Sequence, residues 1–354
     1  MGPTRRDVLA MGLATCGWAA AGGTAASAQP AHRPVPFGGA VYLPDLEADP
    51  RLGDAIVAHC QAVTPVNELK WISTRPAPDL FDFAASDKIA DFARTNALAM
   101  HGHTLVWYAE LPEWVTRLTS AADAERALTE HIVTTMQRYG DVARSWDVVN
   151  EPIPDAARRP TDRRDSHWRA LLGDDHIAQA FRIAHDVDPD ALLVINEYDV
   201  EFATGYFPAK RQAFAHLIRE LVDKGVPVHA VGLQGHLRGG VPIAKDELAQ
   251  FVADMRELGL KIMVTELDVI DRDLPGPADV RDAIIAAQVE DFLGAITASG
   301  PLHSITTWGL SDTYTWIRWA YGRSDGLGNR PLPLDENFQR KPMFDVIDRF
   351  RSIV

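Results

Sequence analysis

The sequence predicts an α/β fold, a single (β/α)8 TIM barrel. Three observations lead there. Eight apolar, strand-like runs recur along the chain, amphipathic stretches fill most gaps between them, and no linker or internal repeat divides the 354 residues. One barrel of this class commonly takes about 250 residues or more as a single domain. The alternative is a doubly wound open sheet. No Gly-rich turn opens a helix after the first strand, which weakens a dinucleotide-binding version of it.

The strands are expected at Phe37–Leu43, Ala62–Asn67, Ala97–Trp107, Ala143–Asn150, Ala191–Glu197, Val228–Gln234, Lys261–Glu266 and Ser304–Trp308. Several are near-continuous apolar runs, the pattern of parallel strands covered on both faces. Between them, Ser86–Asn96 places Ile89, Phe92 and Ala93 on one helical stripe. Asp123–Tyr139 does the same with Ala127, Leu128, Ile132 and Met136, and Phe207–Lys224 and Asp246–Leu258 repeat the theme. Gly225 and Gly259 follow two of these helices, where a C-cap needs a left-handed residue. Two insertions, Pro152–Trp168 and Asp271–Asp279, follow the fourth and seventh strands. In a barrel both lie on the C-terminal face, where active sites are built.

The N-terminus reads as an export signal. Thr4-Arg5-Arg6-Asp7-Val8-Leu9 is a twin-arginine pattern, an Ala/Gly-rich apolar run follows from Val8 to Ala21, and Ala26-Ser27-Ala28 supplies small residues for a signal peptidase. The expected organisation is a signal peptide at 1–28, a lead-in at 29–36 and the barrel at 37–354, with export through the twin-arginine route to the periplasm or beyond. The Leu13-Ala14-Thr15-Cys16 stretch only faintly resembles a lipoprotein box, and lipidation is not expected. Removing residues 1–28 leaves one cysteine, Cys60, hence no internal disulfide. It ends the helical Ala55–Cys60 stretch and reads as a small core residue rather than a reactive thiol.

Composition excludes other classes. The chain has 35 basic and 49 acidic residues, a net charge of −14, which weighs against a nucleic-acid partner. Its apolar content of 46% is too high for a disordered tail, and two cysteines are too few for a disulfide-stapled scaffold. No later stretch offers about 20 apolar residues in a row, so no membrane span is expected after the signal. A monomer without a cofactor or metal is the expectation. His101 and His103 would share one face of the third strand, but His ligands at the ends of the fifth and eighth strands are missing.

The chemistry sits at strand ends. The fourth strand runs Trp146-Asp147-Val148-Val149-Asn150-Glu151 and the seventh Val264-Thr265-Glu266-Leu267-Asp268. Barrel strand ends converge on one face, so Glu151 and Glu266 can meet. Two facing carboxyls are what glycosidic cleavage needs: one protonated to release the leaving oxygen, one ionised to attack or to activate water. Each glutamate alone could equally pair with a basic residue at the rim. His103, Gln234 and His236 also end strands and can orient carboxylates. Asn150 can reach a sugar hydroxyl where strand alternation breaks. Trp308 and Trp316 offer indole faces for sugar rings, whereas Trp114, Trp146 and Trp319 read as core residues.

These motifs resemble glycoside hydrolase family 10, the retaining endo-1,4-β-xylanases. Asn67-Glu68-Leu69-Lys70-Trp71, Gly102-His103-Thr104-Leu105-Val106-Trp107, Trp146–Glu151, Gly232-Leu233-Gln234-Gly235-His236, Thr265-Glu266-Leu267-Asp268 and Trp308–Trp316 stand in the family's order. The resemblance spans roughly residues 37–350. It implies xylan or xylo-oligosaccharides as substrate, Glu151 as acid/base and Glu266 as nucleophile. It implies that His236 and Gln234 bond the nucleophile and the sugar 2-hydroxyl, and that Asn150 contacts the same sugar. Asn67, Lys70, His103, Trp308 and Trp316 would line glycone subsites, with Trp107 and Tyr198 also at the site.

Departures from the family pattern cluster. Val66 stands where the family has Glu, Tyr108 where it has His, Glu110 where it has Gln, and Asn196-Glu197-Tyr198-Asp199 where it has Asn-Asp-Tyr-Asn. Val66 and Glu110 are expected in the glycone pocket, altering preference at the distal subsite toward a decorated or different sugar. Other readings are a related barrel acting on another β-glycan, a non-catalytic sugar-binding barrel and a metal-dependent barrel hydrolase.

Overall fold

The computed structural model describes residues 34–352; the expected signal at 1–28 lies outside them. Eight parallel strands close a barrel: β1 (Phe37–Val41), β2 (Ala62–Pro65), β3 (Ala99–Gly102), β4 (Ala143–Asn150), β5 (Leu192–Glu197), β6 (Ala230–Leu233), β8 (Lys261–Ile270) and β9 (Ser304–Thr307). Each pairs with the next in sequence, β6 pairs with β8, and β9 returns to β1. A ninth short strand, β7 (His236–Arg238), pairs only with the outer end of β8, His236 opposite Asp268. It was not anticipated. The sequence there continues straight from Gln234, and Gly235, at φ +74°, turns the chain so that it restarts one layer higher.

Two strand ends differ from expectation by more than two residues. The third strand stops at Gly102 instead of Trp107, because the chain leaves the sheet at His103 to build the site wall. Gly102 itself is required by packing: a Cβ there would stand 2.0 Å from the indole of Trp146 on β4. β8 runs four residues beyond Glu266, which carries its second half onto the C-terminal face.

Helices cover the barrel. The Ala121–Tyr139 helix starts two residues before the expected Asp123 because Ser120 caps it, accepting the Asp123 amide at 3.1 Å. Gly225 and Gly259 take φ +64° and +83°, as their C-cap placement requires. Trp71, Trp146 and Trp168 are fully buried and Trp114 packs partly buried against the core. Trp319 does not. It is 86% exposed, since its helix, Ile317–Ala320, is one turn long and buries only Ile317. Cys60 is buried, and burial pushes its thiol up to about 12. Among the described residues no helix is long and apolar enough to cross a membrane.

Candidate active site

Glu151 follows the last residue of β4 with φ +56°, a left-handed turn rare for a side chain other than Gly or Asn. The turn breaks strand alternation, so Asn150 and Glu151 face the same side and Asn150 Nδ2 donates to Glu151 Oε1 at 3.2 Å. The turn is held at both ends. The Glu151 amide donates to Asn196 O at 2.8 Å, and the Glu151 carbonyl accepts Arg164 Nε at 2.7 Å. Trp107 Nε1 donates to Glu151 Oε2 at 2.8 Å, and Gln234 Nε2 to Oε1 at 3.1 Å.

Glu266 sits within β8 and points into the barrel mouth. Asn196 Nδ2 donates to its Oε1 at 2.8 Å, and His236 Nε2 lies 3.1 Å from its Oε2. The other His236 nitrogen is 2.8 Å from Asp268 Oδ1. With a carboxylate on each nitrogen, both positions donate. Burial opposes the charge on His236, but Asp268 and Glu266 together hold its pKa well above the usual histidine value. Asn196 also reaches Asn150 Oδ1 at 3.0 Å, so one chain of side chains joins the two glutamates: Glu266, Asn196, Asn150, Glu151.

Asp147, two strand positions below Val149, anchors the histidines. His101 Nε2 and His103 Nδ1 lie 3.0 and 2.8 Å from its Oδ2. The expected shared face of the two imidazoles is therefore real, and it converges on a carboxylate. Burial would raise the Asp147 pKa, but the two imidazoles outweigh burial and bring it down to about 2. His103, Asp147 and Glu266 place ligand-type atoms within 4.8 Å of one another. Those atoms are already engaged, His103 with Asp147 and Glu266 with Asn196.

The cavity at this site measures about 320 Å3 and is lined by Lys70, His103, Trp107, Asn150, Glu151, Tyr198, Gln234, His236, Glu266, Trp308 and Trp316, among others. Asn67 alone of the twelve anticipated residues lies outside it. It lines a neighbouring cavity of about 500 Å3 that shares Trp308 and Trp316. Asn67 remains linked to the site, because its Oδ1 accepts Lys70 Nζ at 2.9 Å. Lys70 lies 4.9 Å over the Trp107 ring, and burial lowers its pKa against the pull of Glu110, Glu266 and Glu151.

Some placements differ from expectation. Gln234 bonds Glu151 and Asn150, not Glu266, because Gly235 turns the chain between Gln234 and His236. Of Val66 and Glu110, both expected in the glycone pocket, Val66 lines the second cavity and Glu110 lines neither. It stands exposed at φ +52°, its carbonyl accepting the Ile72 amide, and reaches the site only through its charge on Lys70. Tyr108 lines the catalytic cavity beside Glu151, with the Arg164 guanidinium 4.3 Å over its ring. Glu197 is fully buried, 3.0 Å from Lys210 Nζ, and accepts the Ile153 and Tyr198 amides, tying the loop after β4 to β5.

Sequence reasoning passed over Asn196, Asp147, Asp268 and Arg164. Asn196 had a signal: it is the last residue but one of β5, directly opposite Asn150 on β4. Arg164 had none, since it reaches Glu151 from within the Pro152–Trp168 insertion. Its Nη2 also meets Asp155 at 2.8 Å and Tyr198 Oη at 3.1 Å.

Two expected outcomes follow from these contacts. Arg164→Met should lower kcat on xylan roughly ten- to a hundredfold, the scale of a misplaced reacting group, with KM little changed. Steady-state kinetics on xylan and on an aryl xyloside with a good leaving group check it, because misplacing Glu151, the acid expected from the sequence, should hurt the first more. Asp147 has a folded pKa below its unfolded value, so its stabilisation is present above about pH 4 and is lost as pH falls through about 2. Asp147→Asn should cost about 2 kcal/mol near neutral pH. Thermal melts from pH 7 to 2 should show the gap to wild type closing on acidification.

Comparison with known proteins agrees with this geometry. A family model described as glycosyl hydrolase family 10 matches residues 26–349. Endo-1,4-beta-xylanase B of Paenibacillus barcinonensis is 35% identical over 321 residues, covering 87% of this chain and 93% of its own. A beta-1,4-xylanase of Dictyoglomus thermophilum is 36% identical over 304 residues, 82% of each chain. The crystal structure of xylanase 10B from Thermotoga petrophila RKU-1 in complex with xylobiose superposes with a TM-score of 0.80 at 30% identity, over 90% of this chain and 94% of that one. Barrel, paired glutamates and matched length together place the chain in glycosyl hydrolase family 10.

Proposed function

We propose that the protein is an exported, retaining endo-1,4-β-xylanase. The observation that carries the reading is the pair of buried glutamates, one directly after β4 and one within β8, each held by different partners. Glu266 faces a cationic donor, His236, and an amide, as an attacking carboxylate requires. Glu151 faces neutral donors, the Trp107 indole and two amides, and opens toward Tyr108 and Tyr198.

In the first step a Glu266 oxygen bonds to the anomeric carbon while the glycosidic C–O bond breaks, and Glu151 gives its proton to the departing oxygen. In the second, Glu151 takes a proton from water, the water oxygen bonds to the anomeric carbon, and Glu266 is released as carboxylate. Two inversions leave the configuration unchanged. Enzymes of this kind hold their carboxyls about 5–5.5 Å apart. Xylan as substrate is supported by the names of the relatives and by the xylobiose bound in the Thermotoga petrophila structure.

Reducing-sugar release from a panel of β-glycans tests the substrate, and proton NMR of the first-formed product tests the stereochemistry. Xylan should be cleaved with the β-anomer appearing first; an α-anomer would rule out a covalent intermediate on Glu266. Export rests on the twin-arginine pattern. Replacing Arg5 and Arg6 by Lys should leave the protein in the cytoplasm, as fractionation would show.

A further inference from the structure

The second cavity, about 500 Å3, adjoins the catalytic one across Trp308 and Trp316. Both indoles stand on the Glu266 side. Trp316 Nε1 donates to Asp268 Oδ2 at 2.8 Å, and Trp308 packs edge-on to His103 and His236. Tyr108 and Tyr198, which flank Glu151, line the first cavity and not the second. The leaving sugar departs on the Glu151 side, so the second cavity receives the glycosyl unit joined to the reacting sugar on its other side.

Its chemistry is unusual for a bare sugar. Leu52, Val66 and Leu310 contribute apolar side chains to its wall. Several polar groups around them are already engaged: Asn67 Oδ1 with Lys70, Tyr314 Oη with Asp49, and Thr315 Oγ1 with the Ile317 amide. A hydroxyl pressed against the Leu52, Val66 and Leu310 stretch of this wall loses water and gains no side-chain partner there, which opposes binding at that stretch, while Asp45 and the Asn67 amide nitrogen serve other hydroxyls of the unit. At the rim stand Tyr42 and Trp319, 41% and 86% exposed, and an exposed indole is suited to cover a sugar face.

We propose that this cavity is a specificity site for an O-acetylated xylosyl unit, with Val66 as the specificity-determining residue and Trp319 as a stacking platform. Acetylation replaces a hydroxyl donor with an ester and adds a methyl group that gains from apolar burial. The inference rests on the xylan reading above and narrows its substrate to ester-decorated chains.

The test compares kcat/KM on natively acetylated xylan with the same polymer after mild alkaline deacetylation. The acetylated polymer should be the better substrate. Val66→Asn should reduce that ratio about fivefold or more, the scale of one ill-matched buried polar contact. Trp319→Ala, a change at an exposed position, should raise KM for the acetylated polymer more than for an aryl xyloside too short to reach the platform. Mass spectrometry should find acetyl groups on the second unit from the new reducing end. A wild-type preference for the deacetylated polymer, or for uronic-acid or arabinosyl branches over acetyl groups, overturns the inference and leaves xylanase activity standing. So does a ratio unmoved by Val66→Asn. Failure to cleave either polymer overturns the xylan reading itself.

Discussion

Glu266→Ala is expected to lower turnover of xylan by roughly four to six orders of magnitude, the scale seen when a covalent nucleophile is removed. Two features make the effect large. In the proposed mechanism the carboxylate forms the bond that the first step depends on. Its removal also leaves His236 partnered only by Asp268, and leaves the Asn196 amide without one acceptor. Azide supplies a discriminating measurement. It fits the space left by the missing carboxylate and attacks the anomeric carbon from the same side. With a glycoside bearing a good leaving group, added azide should restore turnover and yield a glycosyl azide of inverted configuration. A rate near wild type without azide sinks the nucleophile assignment.

Glu151→Ala should cost roughly two to four orders of magnitude on xylan, the range for losing a general acid and base. The loss depends on the leaving group. An activated aryl oxygen departs without a proton, so the first step on such a substrate should stay fast and the glycosyl-enzyme should accumulate, giving a burst of aryl alcohol. Azide should then speed the second step and give a product of retained configuration. Opposite azide stereochemistry in the two variants would assign both roles at once; the same product from both would undo the assignment.

The barrel was legible because its signal is local and repeated. Val63, Met100, Val148, Ile195 and Val231 lie in apolar runs whose length and spacing announce strands without any knowledge of their neighbours. The approach of each strand to the barrel mouth was legible too, which is why Glu151 and Glu266 could be picked out from 49 acidic residues, although β8 runs on past Glu266. Trp319 was misread because hydrophobicity alone assigns an indole to the core, whereas its one-turn helix leaves it in solvent. Arg164 escaped for the opposite reason. An arginine in a Pro-rich insertion reads as surface, and only the folded loop brings its guanidinium under the Glu151 carbonyl.

Taken alone, the amino-acid order determined the fold class, the order of the strands and the residue types at each strand end, since periodicity and composition are properties of the chain itself. Tertiary structure decided who partners whom. It assigned Gln234 to Glu151 and His236 to Glu266, made Asp147 the shared anchor of His101 and His103, and separated Asn67 and Val66 into a second cavity. Those outcomes depend on single turns, at Glu151 and Gly235, whose positive φ angles redirect side chains by a whole strand position. Such a turn leaves no periodic trace in sequence. It is set by contacts from β5, β8 and the insertion after β4, elements far away along the chain that closure of the barrel brings to one rim.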